Sequence, residues 1–318
     1  MNISVVGCGR WGTFIAWYLS KINHQVILYG RGGSAHMQEL RKNRHNGLVT
    51  LDEQIVLTTS LGSVSHSDTI IISIPSQGLQ SLMEQLAQLD IRGKTIVLCM
   101  KGLEINTGRR LSQIAADALH LSNHVAVWLG PGHVQEFIKG IPNCMVIDSL
   151  DNETKKTLVD AFSSDLIRFY YGQDLIGNEV GAAAKNVIGI AAGMLDGLKL
   201  STLKGALMSR GTREIARMIS AMGGSELSAY GLCHLGDYEA TVFSLFSHNR
   251  KFGESFILDE PYSELAEGYY AVQALVHLGV QYHVDLPICN AVYDVLYNGK
   301  DAKSTIDSLF TRSLKSEF

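Results

Sequence analysis

Gly7-Cys8-Gly9-Arg10-Trp11-Gly12 follows a short β-branched run at residues 2–7 and opens an apolar helical stretch at residues 13–19. A G-x-G-x-x-G in that setting leaves few folds open. The first glycine permits a tight turn, the second lets backbone approach a pyrophosphate, and the third allows close helix–strand contact. The helix N-terminal amides then face the anion. A second strand at residues 25–29 completes a strand, turn, helix, strand unit of the βαβ kind. Gly7, Gly9, Arg10, Trp11 and Gly12 are therefore candidate cofactor contacts.

Sites selective for NAD carry Asp or Glu ~20 residues further on, bonded to the ribose hydroxyls. Here the second strand ends in Tyr29-Gly30-Arg31-Gly32-Gly33, which offers no carboxylate. Arg31 is placed either to face a 2′-phosphate or to stack on adenine or lie in solvent. The first placement predicts that NADP(H) is accepted at least as well as NAD(H).

Apolar strands at 69–74, 95–100 and 125–129 alternate with helices at 79–89 and 107–119. Near-continuous apolar strands alternating with helices predict a parallel sheet covered on both faces. Further strands are expected at 143–147 and 167–171, around a polar helix at 151–162. After about residue 176 the strand signal fades, and helical stretches follow at 180–198, 203–222, 225–232, 265–278, 287–296 and 302–309. The expected architecture is an α/β Rossmann-type N-terminal domain over 1–176 and an all-α substrate domain over 177–318.

Composition removes several function classes. Lys and Arg number 27 against 31 Asp and Glu, so no basic surface for nucleic acid is implied. The five cysteines lie far apart without a C-x-x-C, the eleven histidines form no H-E-x-x-H, and no metal site is expected. No G-x-S-x-G elbow supports Ser-His-Asp hydrolysis. The apolar run at 180–195 is interrupted by Lys185 and Asn186 and is short for a bilayer, so no membrane insertion is expected. With no secretory leader in the opening MNISVVGCG, the expected location is cytoplasmic.

Chemistry enters with Lys185-Asn186, set inside GAAAKNVIGIAAGMLDGL at 181–198. A lysine amid Ala, Val, Ile and Gly either snorkels to the surface or is held in a cleft. In the second case desolvation lowers its pKa and makes it a usable proton donor and acceptor.

That segment also carries a family resemblance. VVGCGRWGT, IPSQ at 74–77, KGLE at 101–104, GPGHVQEF at 130–137, the lysine helix, SRG at 209–211, LGD at 235–237, HNRKFG at 248–253 and AEGY at 266–269 occur in order along the chain. In these it resembles the bacterial-type NAD(P)-dependent glycerol-3-phosphate dehydrogenases over essentially its whole length. The resemblance implies reversible hydride transfer between NAD(P)H and dihydroxyacetone phosphate or sn-glycerol 3-phosphate, feeding glycerophospholipid synthesis. It implies Lys185 as general base, Lys101 as a second lysine polarising the same oxygen, and Asp237 as the carboxylate that orients Lys185. Val134, Leu265 and Glu267, with Lys101, fall on cofactor-contacting positions. Gly130, Gly132, Asn186, Thr241, Ser247, His248, Asn249 and Arg250 fall around the substrate. A homodimer is the family expectation.

Three positions depart from the family pattern. His248-Asn249-Arg250 stands where the family has Arg-Asn-Arg, and the first arginine is the one expected to grip the phosphate. A guanidinium holds phosphate bidentately, whereas imidazole is a single-point partner. Gly130-Pro131-Gly132 replaces G-P-[ST], and Thr202 stands in place of a helix-entry asparagine. In one reading Arg250 or Lys251 supplies the phosphate contact and the activity stands. In another the chain is a divergent paralogue reducing a different small ketone or phosphoketone. A non-catalytic NADP(H)-binding sensor is a third, which retention of Lys101, Lys185 and Asp237 opposes.

Overall fold

β-branched runs with both faces apolar form the centre of the first half of the chain. The structure is a computed structural model and describes residues 1–313. The strands are β1 (Asn2–Val6), β2 (Gln25–Tyr29), β3 (Val56–Thr58), β4 (Thr69–Ile72), β5 (Thr95–Leu98), β6 (His124–Leu129), β7 (Asn143–Ser149) and β8 (Ile167–Tyr171). They make one sheet in the order β3-β2-β1-β4-β5-β6-β7-β8. Every residue of β4 is buried, as a strand covered on both faces requires. The chain turns to opposite sides of the sheet after β1 and after β4, and the dinucleotide crevice of such folds lies at that switch.

The strands from β1 to β6 pair parallel, as expected, whereas β7, for which the sequence sets no direction, runs antiparallel to β6, with Trp128 opposite Ile147. The single-turn helix α5 (Val134–Phe137) between them is too short to carry the chain back along the sheet, so the strand returns instead. β8 then pairs parallel to β7 through α6 (Asn152–Phe162).

The remaining helices of this half are α1 (Arg10–Lys21), α2 (Ala35–Asn43), α3 (Leu79–Ala87) and α4 (Leu111–Ala118). The helix expected from residue 107 starts later, because Gly108 takes φ +70° and the first turn is set at Arg110, whose amide donates to Gln113 Oε1 at 3.0 Å. Trp128 is fully buried among the rings of Tyr18, Phe162 and Phe169.

By contacts the chain divides into two compact units, Met1–Lys101 with Arg109–Glu179, and Gly102–Gly108 with the chain from Val180 onward. The second is helical. Its elements are α7 (Leu175–Gly197) from Val180 onward, α8 (Lys204–Ala221), α9 (His248–Ile257), α10 (Glu267–Gln281), α11 (Pro287–Tyr297) and α12 (Ala302–Phe310). The stretch expected to be helical at 225–232 is a short 3-10 segment, Glu226–Tyr230.

Residues 182–195 of α7 are all buried, which makes that helix the axis around which the others pack. α9 crosses it at a backbone-to-backbone approach. A Cβ on Gly193 would lie 1.9 Å from the Arg250 carbonyl oxygen. Glu214 of α8 caps α11, accepting from the amides of Ile288 and Cys289 at 2.9 Å each. Its burial pushes the carboxyl pKa up to about 7 against those two bonds. Among the described residues no helix is long and apolar enough to cross a membrane.

Candidate active site

In the first unit the glycine turn sits at the C-terminal end of β1, against the ends of β2 and β4. Gly7 has φ +114°, and its amide donates to the Tyr29 carbonyl at 2.9 Å. A Cβ there would lie 2.0 Å from the Ser73 carbonyl oxygen, and one on Gly12 would lie 1.9 Å from that of Gly7. A Cβ on Gly9 would meet nothing within 4 Å. Gly9 is also the N-cap of α1 and brings no capping side chain to that helix end. The turn is thus tight on its protein side and open beside the α1 amides, the shape a pyrophosphate fits.

Arg10 is exposed in the first turn of α1, and Trp11 is half-buried with its ring 5.1 Å from Phe14. Phe137 of α5 stacks on Phe14 at 5.1 Å, which brings the buried Val134 and the turn after β6 beside α1. Arg31 is exposed beyond β2, near enough to Cys8 that its charge opposes the upward shift burial imposes on that thiol. Lys101, just beyond β5, donates from Nζ to the Gly130 carbonyl at 2.7 Å, so two of the expected residues meet at neighbouring strand ends. Gly132 has φ +148°, and a Cβ there would lie 2.4 Å from the Phe137 ring. Glycine in place of Ser or Thr is therefore demanded by the local backbone.

In the second unit Lys185 projects from α7 into a buried polar cluster. It is 8% exposed, and Asp237 is 1% exposed. Lys185 Nζ stands 3.0 Å from Asp237 Oδ2 and donates to Thr241 Oγ1 at 2.9 Å. Thr241 in turn donates to the Asp237 carbonyl at 2.7 Å. Asp237 closes a short 3-10 turn, Leu235–Asp237, and Thr241 lies in the π-helical turn Glu239–Phe243 that follows. Such widened turns occur often at functional sites. Taking two charges out of water costs several kcal/mol per ion, roughly, so stability alone is a weak reason for a buried pair.

Asn186 accepts from Asn249 Nδ2 at 3.0 Å, and Asn249 Oδ1 accepts from the Gly268 amide at 2.8 Å. Three expected segments, around Asn186, Asn249 and Glu267, are thereby tied together. Ser247 caps α9, accepting from the Arg250 amide at 3.2 Å. His248 Nδ1 lies 2.8 Å from the Tyr262 hydroxyl. Leu265 is exposed just before α10.

Arg250 is already engaged. Its Nε donates to Asp196 Oδ2 at 2.7 Å, and its Nη2 lies 3.5 Å from Glu254. Asp196 also accepts from Lys204 and Ser201, each at 2.7 Å. This junction went unread in the sequence, although a carboxylate ending an apolar helix was the available signal. Lys251 is exposed. Among the described residues no group of three or more His, Cys, Asp or Glu is placed to hold a metal.

Two family models match the chain, the N-terminal part of NAD-dependent glycerol-3-phosphate dehydrogenase over residues 2–155 and its C-terminal part over residues 174–307. A glycerol-3-phosphate dehydrogenase (NAD(P)+) of Pelodictyon phaeoclathratiforme is 35% identical over 331 residues, covering 100% of this chain and 99% of its own. One from Thermoanaerobacter sp. is 33% identical with the same coverage. Among solved structures, glycerol-3-phosphate dehydrogenase from Coxiella burnetii superposes with a TM-score of 0.90 at 27% identity, over 98% of this chain and 99% of that one.

Proposed function

The chain belongs to the NAD-dependent glycerol-3-phosphate dehydrogenase family, and from that premise we propose that it interconverts dihydroxyacetone phosphate and sn-glycerol 3-phosphate with NAD(P)H. The product would supply glycerophospholipid synthesis. The observation that carries this reading is the buried cluster of Lys185, Asp237 and Thr241, which lies inside the segment matched by the C-terminal family model.

Gly7, Gly9, Arg10, Trp11, Gly12 and Val134 would hold the cofactor, with Glu267 a further contact that the family resemblance implies, and the cofactor would supply or accept the hydride at C2. The chain's own residues handle the proton. In reduction the Lys185 ammonium gives its proton to the C2 oxygen as negative charge develops there, and in oxidation the neutral amine takes it back. Asp237 and Thr241 fix the direction of the Nζ–H bonds. Lys101, whose Nζ donates to the Gly130 carbonyl, is the second lysine to which the family resemblance gives a role in polarising the substrate oxygen. The phosphate falls to the first turn of α9, where Ser247, His248 and Asn249 sit at the positive end of the helix. Residues 1–176 are the dinucleotide domain and 177–318 the substrate domain in this proposal, which places a homodimer in the cytoplasm.

Phosphate dependence is the test. If the α9 turn grips the phosphate, kcat/KM for dihydroxyacetone phosphate should exceed that for dihydroxyacetone by ~10³-fold or more, since charge-assisted contacts are lost together. The second reading, a reductase for another small ketone, is favoured by one observation, that Arg250 is held by Asp196 while histidine stands at 248. Equal kcat/KM for the two substrates would remove the phosphate contact from the α9 turn and favour that second reading.

Arg31 separates the two cofactors. Arg31→Ala should weaken NADPH binding by ~10-fold or more and leave NADH within ~2-fold, because only the 2′-phosphate offers a guanidinium two oxygens. Titration of both cofactors by fluorescence reads this directly. Unchanged NADPH affinity in the variant removes Arg31 from the site.

A further inference from the structure

Acid–base chemistry at Lys185 requires its ammonium to stand at a fixed place, yet the residues that orient it come from a separate turn of chain. His234 lies at the joint. It is completely buried three residues before Asp237. Its Nδ1 is 2.9 Å from the Gly181 carbonyl oxygen, one helical turn ahead of Lys185 on α7. Its Nε2 is 2.8 Å from the hydroxyl of Tyr238, the residue after Asp237. A Cβ on Gly181 would lie 3.0 Å from His234 Cβ, so the histidine is seated directly on the helix.

The partners assign the protons. A carbonyl oxygen only accepts, so Nδ1 carries a hydrogen; Nε2 then accepts from the Tyr238 hydroxyl, and the ring is neutral. Burial acts in the same sense and pushes the imidazole pKa down to about 4, against the Gly181 bond and the Asp237 charge, and with the Lys185 charge. The groups facing the ring and its tyrosine are Lys185 of α7, Asp237 of the turn, Thr212 and Glu214 of α8, and Cys289 of α11.

We propose that His234 is a positioning residue for the dehydrogenase reaction, a neutral imidazole that ties the Asp237 turn to α7 and thereby sets where the Lys185 ammonium stands. The proposal rests on the reading of Lys185 as the acid–base group. Protonation of the ring would place a cation beside Lys185 and take away the acceptor for Tyr238, so the device works only while the ring stays neutral.

The test compares kcat and KM from about pH 5 to 9 for wild type, His234→Leu, His234→Asn and Tyr238→Phe, with Lys185→Ala as control. His234→Leu should lower kcat by ~10- to 100-fold with KM for cofactor and substrate within ~3-fold, the cost of misplacing a reacting group by about 1 Å. His234→Asn can still donate an amide hydrogen to Gly181 and should regain most of that loss. Tyr238→Phe keeps the ring but removes the hydroxyl from Nε2. Its kcat should stay near wild type at about pH 8 and fall toward about pH 5 along a limb that wild type lacks. This variant carries the test even if His234→Leu does not fold. The proposal is overturned if Tyr238→Phe follows the wild-type pH profile, or if a folded His234→Leu keeps wild-type kcat or changes KM alone. A fully active Lys185→Ala would instead overturn the reading on which it rests.

Discussion

Replacing Lys185 by alanine is expected to lower kcat by at least ~10³-fold. Proton transfer by a positioned side chain contributes ~10²- to 10⁴-fold, and a preorganised charge at the developing alkoxide contributes a comparable factor. Both leave with the one ammonium. The same substitution strands Asp237, 1% exposed, as a buried carboxylate without its cation, which costs about 3–5 kcal/mol. Activity and stability fall together in that variant and must be separated. Lys185→Arg does so, because it keeps a cation beside Asp237 while a guanidinium does not give up a proton near neutral pH. The expected pattern is a large thermal shift for the alanine variant, a smaller one for arginine, and near-complete loss of kcat in both. An arginine variant retaining more than about a tenth of wild-type kcat would remove proton transfer from this residue.

The second large effect is a contrast between two glycines of one turn. In Gly12→Ala the new methyl carbon would lie 1.9 Å from the Gly7 carbonyl oxygen, and backbone must move to admit it. Overpacking against side chains costs about 1–3 kcal/mol, and backbone gives way less readily than a side chain, so this variant should lose stability at or above that range and bind NADPH poorly. In Gly9→Ala the methyl group meets nothing within 4 Å. That variant should unfold at close to the wild-type temperature and still lose ~10²-fold or more in NADPH affinity, because the added carbon occupies the side from which the pyrophosphate approaches. Thermal unfolding without cofactor, followed by NADPH titration, reads both halves. Wild-type NADPH affinity in Gly9→Ala would mean that the turn is structural only.

Much of this was legible in the residues because functional groups interrupt strong local patterns. The glycine turn breaks a β-branched run, Lys185 and Asn186 break a helix of small apolar residues, and the strands of the first half are apolar on both faces. What escaped was set by tertiary contact. The direction of β7 follows from the length of α5 and from no pattern within β7 itself. Helix α9 has no apolar stripe at its closest approach to α7, since Gly253 lies there and a Cβ on it would meet the Ile190 carbonyl oxygen at 2.2 Å. Periodicity reads side chains and does not register a face made of backbone. His234 next to Cys233 carries no local sign that its ring reaches Gly181, 53 residues earlier. The partner of Arg250 is equally remote, 54 residues away at Asp196. Gly132, in place of Ser or Thr, has a local cause in its φ of +148°.

A single reaction tests the dehydrogenase activity most directly. Purified protein, NADPH and dihydroxyacetone phosphate are mixed, NADPH oxidation is followed by absorbance, and the product is quantified with a stereospecific assay. The expected result is one sn-glycerol 3-phosphate formed for each NADPH consumed, with turnover abolished in Lys185→Arg. NADPH that goes unconsumed with dihydroxyacetone phosphate, while an unphosphorylated ketone turns over, would contradict it.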